Sequence, residues 1–195
     1  MPRRRDVEEQ RGRLSAAVWS VLAQDGLSGL TLRAVAEHAG CTTGLVLHTF
    51  RDKRALLRHA RELLHERTGA RADAVQRSAA DPFDALGAVL LQALSLTAEK
   101  REEARVWVGF LAASTSDEDL RELHVGYNRA FVQRVERLIA AGRPDLSRAQ
   151  GSHHATALIA LIEGFNALSA ADPQTYSAHR QRAAVERAVA ALRAR

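Results

Sequence analysis

Thr42, Thr43, Gly44, Leu45, His48 and Thr49 crowd into eight consecutive residues, with basic side chains on both sides of them. Small hydroxyl groups, an imidazole and a glycine suit hydrogen bonding along the edge of another molecule better than they suit bond cleavage. Their setting, residues 28–59, is SGLTLRAVAEHAGCTTGLVLHTFRDKRALLRH. Leu32, Val35, Ala36 and Ala39 have helical spacing, with Thr31 placed to cap the start and Gly40 to end it. Thr42 or Thr43 then caps a second short helix, and Asp52 offers a cap for a third. On the second helix Leu45 and Val46 can point back toward Val35 and Phe50, leaving Thr43, Gly44 and His48 outward. A short exposed helix held across another can reach base edges in a DNA major groove. A packed turn in any all-α domain would show a similar glycine. The N-terminal position, the short second helix and the flanking Arg3, Arg4, Arg5, Arg33, Arg51, Lys53 and Arg54 favour DNA.

Charge is distributed accordingly. Residues 1–60 hold ten Lys and Arg against six Asp and Glu, so four of the five net positive charges of this 195-residue chain lie there. Phosphate neutralisation requires such an excess, although a solvated basic face would produce it too. Arg3, Arg4 and Arg5 fit either a minor-groove arm or a disordered start. The start lacks an apolar signal-peptide core, and no run of about 18 apolar residues predicts a membrane span. The single cysteine, Cys41, excludes an internal disulfide framework and suits a reducing cytoplasm.

The elements that must position these groups are all helical. The first is expected from Val7 to Gln24, with Leu14, Val18, Val21 and Leu22 inward and Gly26 stopping it. A long helix follows Asp52, and Asp81-Pro82 opens another. Further helices are expected near Arg101–Ser114 and Asp117–Ala141, ended by Gly142-Arg143-Pro144. No segment alternates as a strand does. Ala149–Ala170 is apolar on two stripes, one of Ala155, Leu158, Ile162, Phe165 and Ser169, the other of Ala157, Leu161, Gly164 and Leu168. Such a helix must be covered on both sides. With the final helix (Gln174–Arg193) it would form a two-fold four-helix interface, for which Leu158, Leu161, Ile162, Phe165, Val185, Val189 and Leu192 are the candidates. The alternative is a monomer with that helix central.

Phe83, Trp107, Phe110, Tyr127, Phe131 and Phe165, six of the nine aromatic residues, all lie beyond the basic region, either as core or as the lining of a pocket. Glu163 is the only charged residue between Arg148 and Asp172. If it faces inward it needs a partner, which a cationic ligand could supply with cation–π support from nearby rings. It could equally pair with Arg105 or Arg129, or reach solvent. His124 could line the same pocket or belong to the core. Catalytic and metal signatures are missing: there is no phosphate loop, no HExxH, and the adjacent His153 and His154 diverge by about 100° on a helix.

The stretch AVWSVLAQDGLSGLTLRAVAEHAGCTTGLVLHTFRDKRALL resembles the N-terminal domain of the tetracycline-repressor (TetR) family. AGCTTGLVLHTFRDKRALL most resembles its betaine/choline-type (BetI-like) repressors. The features that carry this are Gly26, Thr31, Ala36, Ala39, Gly40, Gly44, His48, Phe50, Lys53 and Leu56-Leu57, about a quarter of the chain. Two positions depart: Cys41 stands where a small aliphatic residue is usual, and Thr49 where Tyr is usual. The resemblance implies an all-α fold of about nine helices, an N-terminal three-helix helix-turn-helix domain and a larger helical effector-binding and dimerisation domain. The boundary is expected between residues 52 and 53, giving domains 1–52 and 53–195. It implies a cytoplasmic homodimeric regulator, most readily a repressor, released from a double-stranded operator by a small-molecule effector. No cofactor, metal or membrane partner is expected. Thr43, Gly44, Leu45 and His48 would approach bases, and Thr31, Arg33, Thr42, Thr49 and Lys53 phosphates. A helical binding protein without DNA function, or an all-α enzyme, would leave the N-terminal signature unexplained.

Overall fold

The computed structural model describes residues 4–194, with side chains from Glu8 onward. These residues form nine helices and no strand: α1 (Arg4–Gly29), α2 (Leu32–Ala39), α3 (Thr43–Phe50), α4 (Lys53–Ser78), α5 (Pro82–Gln92), α6 (Ala98–Ser114), α7 (Glu118–Gly142), α8 (Arg148–Ala171) and α9 (Ala178–Arg193). Arg3 lies outside the described residues. Arg4 and Arg5 open α1, so for them the backbone is helical rather than an extended arm. Gly26 breaks α1 as expected, at φ 66° and ψ −165°, and a short turn carries the chain on to Gly29.

Local chemistry sets most of the boundaries. Thr31, Thr42, Asp52, Asp81, Thr97 and Asp117 each accept a backbone N–H at the start of their helix. Ser147 and Gln150 form a reciprocal capping box on α8. The last helix starts at Ala178, later than expected, because Asp172 ties Thr175 into a turn first (Oδ1 accepts from the backbone N at 3.0 Å).

Two apolar cores result. One joins α1, α2 and α3 to the N-terminal half of α4, through Leu14, Val18, Val35, Val46, Phe50, Leu56 and Leu64. It also draws in Val106 and Phe110 of α6 and Leu120 of α7. The other joins α5, α7, α8 and α9, with Ala72 of α4 at its edge. Between them α4 runs as a shared wall.

Phe110, expected to line a pocket, is 1% exposed in the first core, and Phe83 is packed in the second, its ring against Gly142. Neither is available to a ligand. A similar correction applies to the proposed interface. Leu158, Ile162, Val185, Val189 and Leu192 are buried in the subunit's own second core, because that stripe is what closes α8 and α9 onto α5 and α7. Leu161 and Phe165 are half-buried. The outer stripe of α8 is the one left uncovered: Ala157, Ala160, Ala167 and Ala171 are exposed, and Leu168 is 47% exposed. By length and composition α8 is apolar enough to cross a membrane, although it contains no long uninterrupted apolar run. Its apolar excess is divided between the core and this outer stripe.

Candidate nucleic-acid interface and effector cavity

The first site is built on α3. Thr42 Oγ1 accepts from Leu45 N at 3.3 Å, and Thr31 Oγ1 accepts from Ala34 N at 3.1 Å. Both hydroxyls act as acceptors in these caps, so each keeps its hydrogen for an outside acceptor such as a phosphate oxygen. Gly40 adopts the left-handed conformation (φ 61°, ψ 38°) and turns the chain between α2 and α3. Val46 and Phe50 anchor α3 in the core at 0% and 5% exposure. The opposite face presents Thr43, Gly44, His48 and Thr49, all exposed, with Arg33, Arg51 and Lys53 exposed around it.

Gly44 is informative. A Cβ placed there would meet only Thr42 Oγ1, at 3.8 Å, so packing within the subunit does not demand glycine. Glycine inside a helix costs about 1 kcal/mol relative to Ala. A bare backbone on the outer face fits a surface that another molecule approaches closely. Thr49 uses its hydroxyl within α3, donating to Leu45 O at 3.3 Å. Leu45 is half-buried, as its inward role requires, whereas Leu47, which the sequence reading passed over, is 43% exposed between Thr43 and His48. The signal for it was available, since Leu47 is four residues from Thr43 on the same helical face. Arg54 is tied to Asp119 of α7 at 2.5 Å, which pins the start of α4.

The second site is a cavity of about 540 Å³ bounded by α4, α5, α6, α7 and α8. Trp107, Tyr127, Phe131 and Glu163 are among the residues that line it. Phe165 does not, packing edge-on to Tyr176 instead, and His124 lies outside the lining with its ring 5.0 Å from that of Trp107. Glu163 accepts a hydrogen bond from Trp107 Nε1 and pairs with neither Arg105 nor Arg129, both of which are exposed. Burial raises the carboxyl pKa, against the lowering effects of the Trp107 hydrogen bond and of Arg61.

Sequence reasoning missed Arg61, which is 3% exposed and lines the cavity. Its guanidinium carbon sits 4.7 Å from the ring centroid of Trp107 and 4.8 Å from that of Tyr127. Nε has no hydrogen-bond partner. Burial lowers its pKa to about 10, leaving it charged at neutral pH. His65 stacks on the same Tyr127 at 4.0 Å, and its pKa is lowered by burial and then by Arg61. Asn166 contributes an unpartnered Oδ1 to the lining while its amide donates to Ala93 O at 3.0 Å. Arg61 stands between Ala60 and Glu62 on a largely polar helix, and helix periodicity does not reveal which long side chains fold inward.

Farther along α4, Arg71 bonds Glu103 and also reaches Glu99 at 3.2 Å, tying α4 to α6. Arg134 of α7 holds Asp73 at 2.5 Å. Toward the N-terminal core, His59 meets Ser15 Oγ at 2.9 Å, and Arg67 lies 4.3 Å over Trp19. The cavity wall and the DNA-facing core therefore share one rod.

Comparison with known proteins agrees with this arrangement. Residues 14–67 match the N-terminal domain described for bacterial regulatory proteins of the tetR family. Residues 82–194 match the C-terminal domain of BetI-type transcriptional repressors. The HTH-type transcriptional regulator BetI of Paraburkholderia xenovorans is 33% identical over 169 residues, covering 84% of this chain and 83% of that protein. A transcriptional regulator from Rhodococcus has a similar structure, with TM-score 0.82, 25% identity and coverage of 93% of this chain and 94% of that one. A transcriptional regulator from Saccharomonospora viridis, solved in complex with choline, shares the fold at TM-score 0.83 and 21% identity, covering 93% of this chain and 95% of that one. These relatives are regulators, not enzymes. The protein therefore belongs to the tetR family, with a BetI-type C-terminal domain, and is a ligand-responsive DNA-binding transcriptional regulator.

Proposed function

We propose that the protein acts in the cytoplasm as a homodimeric repressor that an ammonium compound releases from its operator. The outer stripe of α8 around Leu168 would pair two subunits and carry two copies of α3 into successive major grooves, about 34–36 Å apart. Thr43, Gly44, Leu47 and His48 would read bases, with Leu45 supporting them from the half-buried side. Thr31, Arg33, Thr42 and Lys53 would fix the register on phosphates, while Thr49, whose hydroxyl hydrogen goes to Leu45 O, supports α3 from within. The observation that carries the DNA reading is α3 itself, anchored by buried Val46 and Phe50 with Thr43, Gly44, Leu47 and His48 left exposed among Arg33, Arg51 and Lys53.

The cavity supports the effector class. It already accommodates a cation between Trp107 and Tyr127, with the Glu163 carboxylate hydrogen-bonded to one of those rings. The choline bound by the Saccharomonospora viridis regulator belongs to the same chemical class. An effector that fits better when α4 is displaced shifts the population away from the DNA-competent spacing, in proportion to its preference between the two states.

The test begins with selection of bound duplexes from randomised DNA, followed by anisotropy titrations of the recovered sequence with and without choline. A recovered pseudopalindrome, bound by a dimer and released by choline, is the expected result. Binding without sequence preference, or by a lone subunit, would overturn the operator reading.

A further inference from the structure

The cage formed by Trp107 and Tyr127 is occupied by the protein itself. We propose that Arg61 is a resident surrogate for the effector: an incoming ammonium group takes its place between the two rings, and the departing guanidinium frees α4. This rests on the effector reading above and specifies how that site is regulated.

Arg61 has the properties of an occupant that can leave. It is buried at 3% exposure, yet its Nε has no acceptor, so burial is compensated chiefly by ring faces and a nearby carboxylate. A structural arginine in the same cavity wall is held differently: Arg134 has Asp73 at 2.5 Å and Gln76 Oε1 at 2.9 Å. Replacing one cation by another also keeps the charge balance beside Glu163, so exchange leaves no uncompensated acid behind. A methylated ammonium needs no hydrogen-bond acceptor, which this cage does not offer to Arg61 Nε.

The exchange has a mechanical consequence. Arg61 belongs to α4, Trp107 to α6 and Tyr127 to α7, so the guanidinium's contact with both rings ties the N-terminal half of α4 to both neighbours. Arg61 lies only eight positions beyond Lys53 at the α3 junction. Ligand entry and release of this tie become a single event.

Calorimetry on the full chain with tetramethylammonium, choline, the uncharged carbon isostere of choline, and butyrate tests this, using wild type, Arg61→Gln and Arg61→Lys. Emptying the cage removes the competitor, so Arg61→Gln is expected to bind tetramethylammonium about tenfold more tightly than wild type. Arg61→Lys keeps the charge but replaces the flat two-faced head by a compact one, and it should gain affinity too. Loss of the competitor without loss of charge separates displacement from simple repulsion. A wild-type complex with tetramethylammonium should show the guanidinium outside the two rings.

Arg61→Lys matching wild type, Arg61→Gln binding no tighter, or a complex with Arg61 still between the rings would each refute displacement while the ammonium reading stands. Should butyrate bind wild type and be lost in Arg61→Gln, with no binding of ammonium, Arg61 is an anion ligand and both readings fall. No binding of any probe refutes the displacement and the effector class together, leaving the operator reading to its own experiment. If Arg61→Gln does not fold, the Lys variant and the complex structure decide.

Discussion

Replacing Glu163 with Gln should move stability and effector affinity in opposite directions. The amide oxygen of Gln can still accept from Trp107 Nε1, so the substitution removes charge while keeping the hydrogen bond. Burial raises the Glu163 pKa above its ordinary 4.5, which means the folded subunit bears a penalty when this group ionises. For a carboxyl raised on folding, the penalty is absent below the unfolded pKa and fully present above the folded one. The melting temperature of Glu163→Gln relative to wild type should therefore rise as pH increases from about 4 toward 7. Affinity follows the opposite logic. A cation at the Arg61 position lies 4.7 Å from the Trp107 ring centre, and that ring's N–H meets the carboxylate. Taking the charge separation as roughly 6 Å with an effective dielectric constant of about 20, the attraction is about 3 kcal/mol. Cavity water and ions reduce this, and the departing Arg61 gives up part of the same attraction, so a loss of about threefold to tenfold in choline affinity is expected. Calorimetry and scanning melts at matched pH measure both. A Gln variant that is less stable at pH 7 and binds choline as wild type does would refute the assigned role, since it would make Glu163 a purely structural acid.

Three further outcomes are expected. Lys53→Ala should weaken operator and random duplex alike and reduce the salt slope by about 2, one contact from each subunit, whereas His48→Ala should alter sequence preference in a repeated selection. An unchanged slope for Lys53→Ala would remove that residue from the phosphate contacts. Leu168→Glu, placed on the uncovered stripe of α8, should shift sedimentation toward the single-subunit mass and abolish tight operator binding while circular dichroism stays unchanged; a persistent dimer would move the interface elsewhere. Phe110→Ala should cost about 3–5 kcal/mol in urea unfolding and impair DNA binding, because this α6 ring fills the core beneath the DNA-facing helices. Choline affinity of the folded fraction should change little, and a selective loss of choline binding would return Phe110 to the cavity.

Features governed by neighbouring residues were legible in the sequence. Thr31, Gly40, Thr42 and Asp52 announce the helix-turn-helix because caps and left-handed turns act over three or four residues. The inward role of Val46 and Phe50 follows from the period of the helix. Features that depend on which helix faces which were harder to read. Phe83 and Phe110 have the same helical spacing as Trp107 and Phe131, and nothing local distinguishes a ring that fills a core from one that borders a cavity. The two stripes of α8 were both visible, but the choice of the inward one depends on α5, α7 and α9. Arg61 was hidden for the same reason. A charged side chain on a largely polar helix is expected outside, and only the rings of α6 and α7 draw it in.

On the proposed mechanism, the shared wall α4 works as a lever. Ala72 seats its far end in the second core, while Leu56 and Leu64 belong to the first. If it pivots near Ala72, a rise of 1.5 Å per residue places Arg61 about 17 Å and Lys53 about 29 Å from the fulcrum. A sideways shift of about 1 Å at the ring cage then becomes roughly 1.7 Å at the α3 junction, by simple proportion of those arms. In a symmetric pair both tips travel, so the gearing doubles whenever they diverge. An effector no larger than choline can thus spoil the fit to a rigid duplex without unfolding anything.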